Sequence, residues 1–178
     1  AEAIVLDTER ERKGTATWED ATASSTHPRI ALWRGDITRL EVDAIVNAAN
    51  SALLGCRVPG HTCIDNAIHS AAGLELRQAC ADVMAERARC DGPSGFPTGE
   101  AVLTPGFHLP SRFVIHTVGP IVSGLLTDEH REALARSYRR CLEEAAAHGL
   151  KTVSFCCIST GVFGFPQEEA ARIAVGTV

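Results

Sequence analysis

Cys56, His61 and Cys63 fall within eight positions of one another in the segment GCRVPGHTCID. Two thiols and an imidazole in a loop containing Gly and Pro can converge on one zinc ion, for which thiolate sulfur and imidazole nitrogen are well-matched ligands. Three protein ligands leave the fourth tetrahedral position to water or substrate, the pattern of a catalytic rather than a structural ion. The competing reading is a loop with two incidental cysteines. His69 is either a fourth ligand or a helix histidine satisfied by its own surroundings, and His116, inside RFVIHTV, reads as structural. Asp65 follows the Cys/His cluster, and Asn47 and Asn50 precede it at the exit of the apolar run VDAIVNAA. The two asparagines either satisfy loop backbone or, with Asp65 nearby, orient a polar ligand such as a sugar.

Two further stretches carry chemistry. Residues 159–166, STGVFGFP, lie between an apolar strand-like run and a helix start, where the carboxyl edge of an α/β sheet binds ligands. Gly161 and Gly164 would let backbone N–H groups turn toward an anion, with the helix start adding partial positive charge. Phe163 and Phe165 would then cover a sugar; alternatively the segment is a plain strand–helix turn. Asp36 in Gly35-Asp36-Ile37-Thr38 either caps a turn or accepts a hydrogen bond from a base amino group.

The elements that must position these residues follow from periodicity and turn chemistry. Residues 42–49 form a near-continuous apolar run, as a strand buried on both faces requires. From Ile64 the residues Ile68, Ala72, Leu76, Cys80 and Met84 recur every four positions, predicting one long helix with Asp65 in its first turn, where the dipole favours negative charge. Further strands are expected at 30–34, 100–104, 112–118 and 151–158, and a short edge strand at 3–6, with 15–28 as loop or arm. Residues 89–98 read as a loop from their Gly and Pro content. A second helix spans 128–148, closed by Gly149, and Pro166 opens a third. Strands alternating with helices of more than ten residues give an α/β fold: three layers, with a mixed, largely parallel sheet between helices.

With 178 residues the chain is long enough for one domain with a full core, and 45% hydrophobic with 22% charged residues is a globular balance. A net charge of −5 argues against general nucleic-acid binding but not against one nucleotide held by backbone N–H groups. No run is long enough for a membrane helix, and the charged start AEAIVLDTERERKG does not fit a signal peptide. Seven cysteines form an odd set, which points to a reducing cytoplasm, with Cys56 and Cys63 available for metal and the other five mostly packing. The organisation expected is an N-terminal arm or edge strand over 1–29 and a single domain over 30–178, ending within a helix, with a closing strand and helix possible beyond it.

Taken together, GDIT (35–38), VDAIVNAAN (42–50), AIHSAAG (67–73), PTGEA (97–101), VIHTVGP (114–120) and STGVFGFP (159–166) resemble the macrodomain family, which binds ADP-ribose. The GCRVPGHTCID insert resembles the zinc-containing subgroup, hydrolases that remove mono-ADP-ribose from proteins. The resemblance implies that Asp36 and the backbone of Ile37 meet the adenine. It implies that Ser159, Thr160, Gly161, Val162, Phe163, Gly164 and Phe165 wrap the diphosphate and distal ribose, and that Asn50 binds that ribose. Cys56, His61 and Cys63 would ligate Zn2+ beside it, and Asp65 would act as general base or ribose anchor. Rival readings are a non-catalytic ADP-ribose reader with a structural zinc and an esterase for O-acetyl-ADP-ribose. The implied partner is a mono-ADP-ribosylated protein, with a functional link to a sirtuin-type transferase.

Overall fold

The computed structural model describes residues 2–58, 60–92 and 94–178. Its centre is a four-stranded sheet of β3 (Ala44–Ala48), β4 (Ala101–Pro105), β5 (Phe113–Thr117) and β6 (Val153–Ser154), in the order β4-β5-β3-β6. β3 runs parallel to β5 and β6, and β4 is antiparallel to β5. Two short strands, β1 (Thr22–Ala23) and β2 (Ala31–Leu32), pair antiparallel in a separate ribbon. The mixed, mostly parallel α/β sheet expected from the sequence is present.

Side-chain alternation along β3 splits the core into two layers. Ile45 packs toward α2 (Ile64–Ala72) and α3 (Leu74–Asp91), among Leu53, Ile68, Leu76 and Val114. Ala44 and Val46 face the other way, toward α4 (Asp128–Ala147) and α5 (Gln167–Thr177), among Ile115, Leu134, Tyr138 and Ile158. Because consecutive strand residues point to opposite faces, an apolar run without alternation is what a sheet covered on both sides demands.

Four expected elements differ. The long helix from Ile64 is two helices, because Gly73 adopts φ 94° and closes α2 while opening α3; the four-residue stripe continues across the break, so periodicity alone does not reveal it. Residues 3–6 are not an edge strand but belong to helix α1 (Glu2–Lys13). Four apolar residues followed by DTERERK find no partner strand, whereas Arg12 makes two hydrogen bonds to Glu9 at 2.8 and 2.6 Å on the helix surface. The run 151–158 forms ladder bonds only over Val153–Ser154, because β3 offers it partners only at Ala44 and Ile45. The expected loop over 89–98 begins later, since α3 continues to Asp91; Pro93 lies outside the described residues.

Of the five cysteines expected to pack, Cys80 and Cys141 are buried and Cys156 is half-buried, but Cys90 and Cys157 are exposed. Cys90 sits on the solvent side of the last turn of α3, and Cys157 lies beyond the end of β6. All seven thiols are free.

Candidate functional site

β3 delivers Asn47 and Asn50 to the carboxyl end of the sheet, and the first turn of α2 brings Asp65 to meet them. Asn47 is fully buried and in register with His116 of β5. Its amide nitrogen donates to Oδ1 of Asp65 at 2.8 Å, while that of Asn50 donates to Oδ2 at 3.1 Å. Each carboxylate oxygen is therefore held by a different asparagine. Burial raises the Asp65 pKa; the two amides and the charge of Arg77 act against that rise without cancelling it. The result is a strongly oriented carboxylate of increased basicity.

Asn50 is heavily committed. Its second amide hydrogen goes to the carbonyl of Gly55 at 3.1 Å, and its Oδ1 accepts from the Ala52 amide at 2.9 Å. What remains for a ligand is the second lone pair of Oδ1, so Asn50 can accept a hydrogen bond from a sugar hydroxyl. Gly55 is required where it stands: its φ is +76°, and a Cβ there would lie 2.9 Å from Cγ of His69.

The Cys/His loop converges. One ligand atom each of Cys56, His61 and Cys63 lies within 4.8 Å of the others, with Sγ of Cys56 3.3 Å from Nδ1 of His61. Cys63 caps α2, its Sγ accepting from the Asn66 amide at 3.4 Å, and the Asn66 side chain donates to the His61 carbonyl at 2.8 Å. Burial, with Cys56 and Asp65 as further causes, raises the Cys63 pKa, while the Asn66 amide lowers it. Two sulfurs and a nitrogen, converging and half-buried, are a donor set of the size and softness that fits zinc.

Beneath this layer lies a second Cys/His group. His116 has Nδ1 3.2 Å from the amide nitrogen of Asn47 and Nε2 2.9 Å from Oγ1 of Thr104. Both ring nitrogens of His116 are thus engaged in hydrogen bonds. Burial, helped by His69, drops the His116 pKa to about 3. His69 is not the satisfied helix histidine expected: among the described residues both its buried nitrogens lack a hydrogen-bond partner, with Nε2 3.6 Å from Oδ1 of Asp65. Its ring instead packs against the Gly55 backbone, and burial, with Arg77 nearby, drops its pKa to about 4.

At the other side of the sheet end, the loop 159–165 follows β6. Ser159 takes φ 64° and buries an Oγ that has no partner among the described residues. The amides of Thr160, Gly164 and Phe165 bond back to Cys157, Gly161 and Ser159, whereas among the described residues those of Gly161, Val162 and Phe163 have no protein acceptor. Three consecutive free N–H groups before a helix are an anion-binding arrangement. Phe165 does not cover a sugar with its ring, which is 2% exposed and part of the core against α4, so only its backbone faces the loop. Phe163 is half-buried against the opposite core layer.

Asp36 is drawn elsewhere. It caps the 3-10 turn Ile37–Arg39, accepting from the amide and hydroxyl of Thr38 at 2.9 and 2.6 Å, and it lies 3.3 Å from Nζ of Lys13. Burial raises its pKa, but the Thr38 and Lys13 interactions outweigh it and leave the pKa low. Asp36 lines a cavity of about 240 Å³ walled by α1, α2 and residues 108–110. Neither the loop 50–63 nor the loop 159–165 lines that cavity. Ile37 is buried at 8% exposure beside it.

Gly119 was not among the residues read as functional from sequence. A Cβ there would collide with Oγ of Ser159 and lie 2.6 Å from Cγ2 of Ile158, so this glycine makes room for the anion loop. Its only signal was its place in VIHTVGP.

The chain resembles known proteins along most of its length. The Macro domain profile matches residues 46–174. A protein-ADP-ribose hydrolase of Treponema medium is 57% identical over 147 residues, covering 83% of this chain and 54% of the relative. A macrodomain of Oceanobacillus iheyensis solved with ADP superposes with a TM-score of 0.71 at 48% identity, covering 80% of this chain and 70% of that one. A Trypanosoma brucei macrodomain in complex with ADP-ribose gives 0.74 at 40% identity, covering 92% and 63%. The chain spans about half the length of the curated relatives it matches first. The fold, the strand-end asparagines and the matched profile converge, and the chain belongs to the Macro domain family.

Proposed function

We propose that this chain binds ADP-ribose and hydrolyses the bond joining it, as a single unit, to a protein side chain. The observation that carries the reading is the Asp65 carboxylate, buried at the sheet end with each oxygen fixed by a separate asparagine amide. Relatives named protein-ADP-ribose hydrolase, and neighbours solved with ADP and ADP-ribose, support the substrate class.

In this reading the free amides of Gly161, Val162 and Phe163 hold the diphosphate, and Oδ1 of Asn50 accepts from a hydroxyl of the distal ribose. Asp65 takes a proton from the attacking water as the water oxygen bonds to the anomeric carbon. The bond from that carbon to the side-chain oxygen breaks, and Asp65 returns the proton to the departing oxygen. Burial favours this role, because a carboxylate with a raised pKa is a stronger base at neutral pH. Asp36, already satisfied by Thr38, retains the oxygen facing Lys13 to receive an adenine amino group.

Cys56, His61 and Cys63 are the residues that would hold zinc, next to Asp65 in sequence. When bound, zinc would supply Lewis acidity toward an oxygen of the distal ribose. Seven free thiols support a reducing compartment, the cytoplasm being the natural one.

The deciding experiment follows release of labelled ADP-ribose from proteins modified on acidic residues or on serine. Release by the wild type and its loss in Asp65→Asn, with ADP-ribose binding retained, is the expected result. Tight ADP-ribose binding with no release from either substrate would leave a reader. Release of acetate from O-acetyl-ADP-ribose alone would leave the esterase.

A further inference from the structure

Asn47 is an uneconomical residue for a buried strand. Among the described residues its fully buried carbonyl oxygen has no hydrogen-bond partner. An orphaned buried acceptor of this kind is a net cost to the fold. An apolar residue would fill the strand without that loss, so the amide must be delivering something to its neighbours.

Its nitrogen shows what. One hydrogen points to Oδ1 of Asp65 at 2.8 Å, and the same nitrogen lies 3.2 Å from Nδ1 of His116. Turning the amide over would set its carbonyl oxygen against the carboxylate, so the nitrogen must face Asp65. The second hydrogen is then donated to His116, whose Nδ1 must accept it. That leaves Nε2 carrying the ring proton, within 2.9 Å of Oγ1 of Thr104 and 3.6 Å of Sγ of Cys80. Thr104, His116, Asn47 and Asp65 thus form one continuous hydrogen-bonded chain across β4, β5, β3 and α2, with the Asn47 amide donating in both directions. All four are buried, His116 and Asn47 completely. The ring is neutral at physiological pH, so it acts by shape and hydrogen bonding and not by charge.

We infer that Asn47 and His116 are positioning residues for the hydrolytic carboxylate: His116 fixes the Asn47 amide, and that amide fixes Oδ1 of Asp65. The inference rests on the role given to Asp65 above. Neither residue touches substrate, so their loss lowers turnover without weakening binding. Misplacing a catalytic group by about 1 Å costs on the order of 100-fold in rate.

The test compares His116→Leu, His116→Asn and Asn47→Leu with the wild type. An asparagine side chain places its amide oxygen near the position of the imidazole Nδ1, so His116→Asn keeps an acceptor for Asn47 and His116→Leu does not. We expect kcat for ADP-ribose release to fall roughly 10-fold to 100-fold in His116→Leu and Asn47→Leu, with KM and ADP-ribose affinity unchanged. His116→Asn should recover to within roughly threefold of wild type. Equal losses in both His116 variants, or a change in KM with kcat intact, would overturn the inference. A readout independent of turnover is the 15N spectrum of the His116 ring, assigned by its disappearance in His116→Asn. It should show the proton on Nε2, and a proton on Nδ1 would break the chain. Wild-type protein that releases no ADP-ribose would overturn the functional reading instead, and the ring spectrum then decides the hydrogen-bond chain alone.

Discussion

The amide nitrogen of Asn50 lies 3.1 Å from Oδ2 of Asp65, 15 positions further along the chain, and 3.1 Å from the carbonyl of Gly55. One side chain therefore ties the strand exit, the loop that starts the Cys/His segment and the acid at the head of α2. A change at any of the three should be felt at the other two.

Gly55→Ala is expected to disturb that tie from the loop side. It places a Cβ at positive φ and 2.9 Å from the buried His69 ring. Stability should fall by about 1–3 kcal/mol. Urea unfolding checks this; a midpoint equal to wild type would show that the loop relaxes freely.

Gly119→Ala should act on the anion loop, since its Cβ would collide with Oγ of Ser159. Expected is at least a roughly tenfold weaker ADP-ribose Kd by calorimetry with the far-ultraviolet spectrum intact, one lost charge-assisted hydrogen bond being enough to give it. Ser159→Gly on the same background removes the clashing hydroxyl and suits φ 64°, so it should recover part of the affinity. The 2.6 Å approach to Ile158 limits that recovery.

The Cys56, His61 and Cys63 cluster predicts one zinc per chain in protein purified without chelator, measured by elemental analysis. Cys56→Ala and Cys63→Ala should each reduce it well below stoichiometry. Zinc content that is low in the wild type and indifferent to both substitutions would remove the metal from the reading. His61→Ala should lower zinc content and slow release together if the ion serves the reaction.

Two buried imidazoles set an acid limit on stability. His69, facing Asp65, Arg77 and His116, and His116, facing Asn47, Thr104 and Cys80, have folded pKa values of about 4 and about 3, against an ordinary 6.5. The unfolded chain binds these protons first, so the stabilisation is complete above pH 6.5 and is lost as pH falls toward 4. Across that window the two together can contribute at most about 2.7 kcal/mol per pH unit to the slope. Urea midpoints between pH 7 and 4.5 test this, and His116→Leu should reduce the slope by up to half. An unchanged slope would show that His116 does not titrate on unfolding in this range.

The sequence by itself determined much of this molecule. The run 42–49 is apolar on both faces, and only a strand sandwiched between helices uses such a run, so the three-layer α/β fold was legible in it. The spacing of Cys56, His61 and Cys63 within one loop allowed convergence beside the reading of two incidental cysteines, and the fold brings the three ligand atoms together. Asp65 in a first helical turn followed from the stripe that begins at Ile64.

What only tertiary structure decided involves groups distant in sequence or a single backbone angle. The break at Gly73 is one φ value inside an uninterrupted apolar stripe, and the helical fate of residues 3–6 reflects the lack of a partner strand. Asn47 and His116 meet because β3 and β5 pair in register, 69 positions apart in the chain. Gly119 matters only because Ser159 folds over it. Phe165 was lost as a sugar-covering ring because α4 had the stronger claim on its apolar area. The cap that Asp36 makes with Thr38 was one of the two readings GDIT offered, whereas its contact with Lys13, 23 positions away on α1, exists only because the fold brings α1 there.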